Sequence, residues 1–133
     1  ENEIDAMKQK IDAGAQFFVT PPLFDVSAIE PFINKINASD IHIIPTVVLL
    51  KSLGMARYMA KNVSGIDVPE QLIKRVKDAP KDKRAQEGIR ICIEQFQELR
   101  EIPGVHGIHL MAIEWEHKVP EIVKGANLYP RPN

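Results

Sequence analysis

Apolar residues recur along the chain with two different spacings, which change wherever prolines, glycines or short polar runs interrupt them. Three short apolar segments indicate strands, and the second, 41–48, is almost continuously apolar, as is typical of a strand covered on both faces. Elsewhere, apolar residues return every three or four positions, as on one face of a helix. The pattern predicts strands over 16–20, 41–48 and 105–113. It predicts helices over 3–13, 27–36, 53–61, 69–79, 85–100 and 116–124.

Local signals predict where several of these elements begin and end. The Pro21-Pro22 pair supplies no backbone N–H and is expected to end the first strand sharply. Ser27 and Glu30 have the spacing of a capping box, which predicts the start of the second helix. A polar turn is predicted over residues 37–40, and a tail punctuated by prolines over 128–133.

Each predicted strand is separated from the next by at least one helix, so the strands cannot form hairpins and are expected to run parallel. No linker or repeat divides residues 1–133, which we therefore treat as a single segment. A closed (βα)8 barrel takes about 250 residues, and three parallel strands alone leave two open edges. The pattern therefore predicts an α/β fold that is part of a TIM barrel, completed by another segment or subunit. An oligomer is expected rather than a lone monomer.

Composition narrows the possible partners. Seventeen basic against eighteen acidic residues give a formal charge of -1, which offers no surplus positive potential to nucleic acid. The longest apolar run, 41–50, is about half the ~20 residues that a membrane helix requires. The single cysteine, Cys92, cannot form an internal disulfide. We expect a cytoplasmic protein with no nucleic-acid partner and no membrane segment.

Carboxylates near strand ends are the first candidates for chemistry, because strand ends in parallel α/β folds share one crevice. Asp25 is either a catalytic carboxylate or a helix cap, and its position shortly before a helix favours the cap. Glu114 and Glu116 either form a general acid/base pair or have separate positions in the loop.

The remaining chemically active residues give weaker indications. His106 and His109 are three positions apart on a predicted strand, so alternation places them on opposite faces and argues against a shared metal ion. No histidine stands out as a catalytic base. Trp115 either stacks on a planar ligand or covers the rim of the fold, and Cys92 is expected in the core.

A series of motifs resembles the carboxyl-terminal half of methylenetetrahydrofolate reductase. Residues 8–20, KQKIDAGAQFFVT, are followed by Phe24-Asp25-Val26, and this combination is specific to the family. Ile43-Ile44-Pro45, Val68-Pro69 and Gly107-Ile108-His109 follow in the same order. The resemblance covers nearly the whole chain.

This resemblance implies a flavoprotein oxidoreductase of one-carbon metabolism, built on a (βα)8 barrel with FAD as cofactor. The family passes a hydride from a nicotinamide donor through FAD to methylenetetrahydrofolate, giving methyltetrahydrofolate. The chain would supply approximately the last three βα units with a preceding helix. The family's proton donor and most FAD contacts lie in the amino-terminal part of the barrel, so the chain alone is expected to be inactive.

Site residues follow from the same resemblance, position by position. Lys10 matches a basic residue near the flavin phosphates or ribose, and Glu3 matches an acidic flavin contact. Pro21 replaces a glutamine that contacts the pterin and flavin. These departures leave the electron donor open between NAD(P)H and a redox protein, and the substrate between methylenetetrahydrofolate and a related pterin. The positions expected to shape the substrate pocket are Pro21, Leu53, Met111, Ile113 and Trp115.

Two alternatives remain open from the sequence. The chain is either a non-catalytic module that completes a barrel, or part of an unrelated barrel enzyme that uses Glu114 and Glu116 as acid and base.

Overall fold

The computed structural model describes residues 2–36 and 40–130, so three of the four residues of the predicted 37–40 turn and the end of the predicted tail lie outside the described residues. Short 3-10 turns precede α2, α5 and α6. In the described parts of the chain, no helix combines the length and apolar character needed to cross a membrane. The main elements are α1 (Asn2–Asp12), β1 (Phe17–Pro22), α2 (Ile29–Ile36), β2 (His42–Val48), α3 (Leu53–Asn62), α4 (Glu70–Asp78), α5 (Arg84–Arg100), β3 (His109–Met111) and α6 (Val119–Gly125).

The three strands form one parallel sheet in the order β1-β2-β3, which confirms the predicted parallel α/β class. Phe17 of β1 lies opposite His42 of β2, and Thr46 of β2 lies opposite His109 of β3. The central strand, β2, is the most buried, whereas β1 and β3 form the edges.

Helices cover one face of the sheet and create the main core. Ile43 and Val47 of β2 pack in one cluster with Cys92, Phe96 and Leu99 of α5. A second cluster lies beyond the end of β2 and joins the strand to α3 and the segment before α4. Its buried members are Phe24, Val48, Leu50, Ala56, Met59 and Val68.

The opposite face of the sheet is open along β1. Phe17 is 59% exposed and Val19 is 49% exposed, while the alternate residue Phe18 packs against the main core. The prediction that the first strand is buried is therefore wrong at Phe17 and Val19. Periodicity alone did not reveal this, because Phe17, Phe18 and Val19 are all apolar.

The first strand also continues through Pro21 and Pro22 rather than stopping before them. The register shifts between Val19 and Pro22, and the Leu23 N–H then donates to the carbonyl oxygen of Thr46 at 3.0 Å. A bulge on an edge strand tolerates proline because the missing N–H groups are not needed for the ladder.

Helix α2 begins differently from its prediction. The Asp25 carboxylate accepts hydrogen bonds from the Ser27 backbone N–H at 3.1 Å and from its hydroxyl at 2.6 Å. Ser27 therefore lies inside a 3-10 turn, and the predicted capping box with Glu30 is wrong. The favoured role of Asp25 as a cap is confirmed.

Strand β3 is shorter than the predicted segment 105–113. Ile43 pairs with Val105 in an isolated bridge and Thr46 pairs with His109, so three steps along β2 match four steps along the third segment. The extra residue interrupts the ladder, and regular pairing resumes only at His109.

Candidate functional site

A groove of about 440 Å³ lies beside the open edge of β1, between α1 and α2. Glu3 and Lys10 both line it from α1, because residues seven apart in a helix lie on the same face. Pro21 lines it from β1. The groove therefore brings together three residues that the sequence assigned separately to the cofactor and the substrate.

The walls of this groove are largely apolar. Met7 of α1, Phe18 of β1 and Phe32 of α2 all contribute to them. Lys10 adds a cationic point charge with three donors, whereas Glu3 adds a carboxylate acceptor. Apolar walls with a few charged groups suit a ligand that has a planar body and a phosphate or hydroxyl substituent.

A second group of candidate residues lies at the carboxyl ends of β2 and β3. Lys51 follows β2, and its Nζ donates a hydrogen bond to the carbonyl oxygen of Ile113 at 3.0 Å. This bond joins the loop after β2 to the loop after β3. Leu53 begins α3 two residues later, where Ser52 caps the helix. Met111 lies opposite Val48 in the sheet. The structure thus places Leu53, Met111 and Ile113 on segments that share one rim.

Glu114 and Glu116 hold the turn after β3. Glu114 has a φ of 58°, and its backbone N–H donates to Glu116 Oε1 at 3.2 Å. Its side chain is 86% exposed and lies 3.4 Å from Lys51 Nζ. Each carboxylate therefore has a structural partner, and the two do not form a shared acid/base site in this arrangement.

Trp115 follows the rim residues of β3, but its side chain packs inward. Its side chain is partly buried and packs against the main core, with its ring 5.9 Å from that of His117. Of its two roles considered from the sequence, this position favours packing at the rim over stacking on a ligand.

A polar network that the sequence analysis missed crosses all three strands. The Thr46 hydroxyl donates to the Thr20 carbonyl at 2.6 Å and lies 3.2 Å from His109 Nδ1. The single proton of this hydroxyl is used in the bond to Thr20, so the hydroxyl can only accept a hydrogen bond from His109. Neutral His109 therefore carries its proton on Nδ1 and leaves Nε2 as an acceptor. Threonines at the ends of two neighbouring strands were the available sequence signal.

Cys92 does not add a site. Burial raises the pKa of the Cys92 thiol to about 12, so this cysteine is protonated at neutral pH and acts as a core residue, as expected. Within residues 2–36 and 40–130, no group of three or more His, Cys, Asp or Glu side chains could hold a metal ion.

Comparisons with known proteins agree with the motif series. The family model described as methylenetetrahydrofolate reductase matches residues 1–127. A protein named methylenetetrahydrofolate reductase 2 from Schizosaccharomyces pombe is 28% identical over 95% of this chain and 21% of its own length. A Caenorhabditis elegans protein named probable methylenetetrahydrofolate reductase (NADPH) is 27% identical over 92% of this chain and 19% of its own. Another protein named methylenetetrahydrofolate reductase 2, from Saccharomyces cerevisiae, is 24% identical over 96% of this chain and 22% of its own length. The chain thus spans about a fifth of the length of the curated relatives it matches.

Proposed function

The chain belongs to the methylenetetrahydrofolate reductase family, and from this premise we propose that it works as part of a flavin-dependent oxidoreductase that reduces methylenetetrahydrofolate to methyltetrahydrofolate. In this proposal it supplies approximately the last three βα units, with the preceding helix α1, of a (βα)8 barrel. The family match over nearly the whole chain carries the proposal. The expected resemblance to this family is confirmed, whereas the activity remains a proposal.

The open sheet supports the idea that another segment or subunit completes the barrel. Phe17 and Val19 expose apolar surface on the face that helices leave uncovered. The His42 N–H donates to the Gln16 carbonyl at 3.1 Å, so in a parallel ladder the N–H groups of Phe17 and Val19 point away from β2. A further strand beside β1 would satisfy these groups, and a closed barrel would cover the apolar face.

The groove beside β1 fits a role in FAD binding. Lys10 would hold a phosphate or ribose oxygen through charge-assisted hydrogen bonds, and the Glu3 carboxylate would accept from a ribose hydroxyl. When bound, FAD would supply the hydride that reduces the folate, after it is reduced by a hydride from NAD(P)H or by two electrons from a redox protein and a proton from solvent.

The substrate side would be formed by Pro21, Leu53, Met111 and Ile113, whereas Trp115 would support this rim from the core. These side chains carry no charge, so they would exclude water from the reacting groups and hold a pterin by shape. Pro21 has neither a backbone N–H nor a polar side chain, so it cannot donate a hydrogen bond to the pterin and its side chain cannot accept one. Specific hydrogen bonds to the substrate would then have to come from the rest of the barrel.

Reconstitution tests this proposal directly. The 133-residue chain would be co-expressed with the amino-terminal barrel half of a family member and purified as a complex. We expect bound flavin in the visible spectrum and reoxidation of the reduced flavin by methylenetetrahydrofolate, whereas the chain alone should retain no flavin. A folded complex with neither property would refute the proposal.

Variants on one helix test the assigned flavin contact. Lys10→Ala should weaken flavin retention by the complex, because it removes the cation from the groove. Lys8→Ala is the matched control, since Lys8 is an exposed residue of the same helix that does not line the groove. Equal flavin retention in both variants would remove Lys10 from the site.

A further inference from the structure

Two histidine rings lie against each other where β2 begins, on the open face of the sheet. The ring centroids of His42 and His106 are 4.3 Å apart, and the ring planes meet at 68°. The two residues belong to different segments, so their spacing in the sequence gave no reason to join them. The pair that the sequence compared, His106 and His109, is not the pair that the fold brings into contact.

Backbone hydrogen bonds hold both residues in place. The His42 N–H donates to the Gln16 carbonyl at 3.1 Å, and the His106 N–H donates to the Ile43 carbonyl at 3.2 Å. Between these anchors, Ile43 and Val105 form a parallel bridge, and both pack against the main core. The strand alternation then directs the neighbouring histidines to the other face. Both histidines are exposed to solvent.

We propose that His42 and His106 form a two-histidine site for a divalent transition-metal ion such as Cu²⁺, Ni²⁺ or Zn²⁺. Imidazole nitrogen suits these ions. Bonds of ~2.0–2.1 Å to a tetrahedral ion would place the two ligand nitrogens about 3.3 Å apart. Rotation about the side-chain bonds can bring rings with this centroid separation to that spacing. Water would complete the coordination sphere.

The surroundings define which ions the site would take. Among the described residues no third His, Cys, Asp or Glu joins the pair. Mg²⁺ prefers oxygen ligands in octahedral geometry, so it should not bind here. The sheet already fixes the backbone of both ligands, and binding therefore has to order only the two rings. The other histidines lie elsewhere, since His109 bonds to Thr46 and His117 lies beside Trp115.

Calorimetric titration of the tag-free chain with CuCl2, NiCl2, ZnCl2 and MgCl2 tests this site. We expect one transition-metal ion per chain, with Cu²⁺ bound most tightly and no saturable binding of Mg²⁺. His42→Asn and His106→Asn should each weaken binding about tenfold or more, because one imidazole alone cannot chelate. The matched control His117→Asn should bind as the unaltered chain does.

Several results would overturn the assignment. The first is that the unaltered chain shows no saturable binding of a transition-metal ion. The second is that His42→Asn or His106→Asn binds the ion as tightly as the control variant does. A contact between two imidazoles without metal affinity would give the first result. The titration uses no flavin and no barrel partner, so its outcome is independent of the reconstitution experiment.

A second measurement does not depend on the variants. Substoichiometric Ni²⁺ should broaden the ring signals of His42 and His106 in a nuclear magnetic resonance spectrum, and leave those of His117 sharp. Broadening centred on His117 or on His109 would contradict the proposed site.

Discussion

Gly88 of α5 lies where the helix meets the end of β2, and we predict that Gly88→Ala destabilises the protein. A methyl group added there would lie 1.8 Å from the Leu50 carbonyl oxygen and 2.8 Å from its carbonyl carbon. Side-chain carbons essentially never approach below 3.0 Å, so helix and strand must separate by about 1.2 Å, the difference between 3.0 and 1.8 Å. Backbone atoms cannot rotate away as a flexible side chain would.

The magnitude follows from two opposing effects. Overpacking of a well-packed core costs about 1–3 kcal/mol, and a collision with backbone belongs at the upper end of that range. Replacing glycine by alanine inside a helix returns about 0.5–1 kcal/mol. We therefore expect a net loss of about 2 kcal/mol in the free energy of unfolding. The displaced helix would also loosen the contacts of Ile89 and Cys92 with the core.

Urea denaturation followed by far-UV circular dichroism measures this loss. Gly88→Ala should lower the midpoint by about 1 M with little change in slope. Gly54→Ala in α3 is the control, because its added methyl group would meet only Ser52 Oγ, at 3.8 Å. That exposed variant should be as stable as the unaltered chain or gain up to about 1 kcal/mol. A Gly88→Ala variant at least as stable as Gly54→Ala would refute the close approach of α5 to β2.

Three further predictions concern the cap, the buried thiol and the rim. Asp25→Ala should lower the free energy of unfolding by about 1 kcal/mol through loss of the cap, whereas Glu30→Ala should change it by less than about 0.5 kcal/mol. Equal losses in the two variants would contradict the assigned cap. Because burial raises the pKa of Cys92 to about 12, an aromatic disulfide reagent should label it only in denaturant, and rapid labelling of the native chain would contradict this burial. Lys51→Ala should speed amide hydrogen exchange over residues 113–116, because it removes the bond to the Ile113 carbonyl. Lys61→Ala, on an exposed part of α3, is the control and should leave this exchange unchanged. Unchanged exchange in both variants would show that Lys51 does not hold the loop.

The helices and the parallel topology could be predicted because they depend on local periodicity. Helix α5 begins within one residue of its prediction and ends at the predicted residue, since five apolar positions define its buried face. Proline and glycine were less informative, because their effect depends on the neighbouring strand. Pro21 and Pro22 remain in β1 since the strand is an edge with a bulge, a feature that the residues themselves do not reveal.

Contacts between strands could not be predicted from the sequence, because they depend on the register of the strands. A shift of one residue moves every side chain to the other face, and periodicity leaves that shift open where several apolar residues are consecutive. The contacts of Thr46 with His109 and of His42 with His106 arise from the register of β2 against the third segment. The tie from Lys51 to Ile113 likewise joins two loops that are far apart in the chain.

The open face of the sheet has a composition that favours a covered environment. The positions that share this face, by alternation and register, contain no Asp, Glu, Lys or Arg. A sheet face in permanent contact with water normally alternates polar or charged residues with the core positions. This composition supports the proposal that another segment or subunit completes the barrel. The positions that support this proposal are Phe17, Val19, Ile44, His109 and Met111.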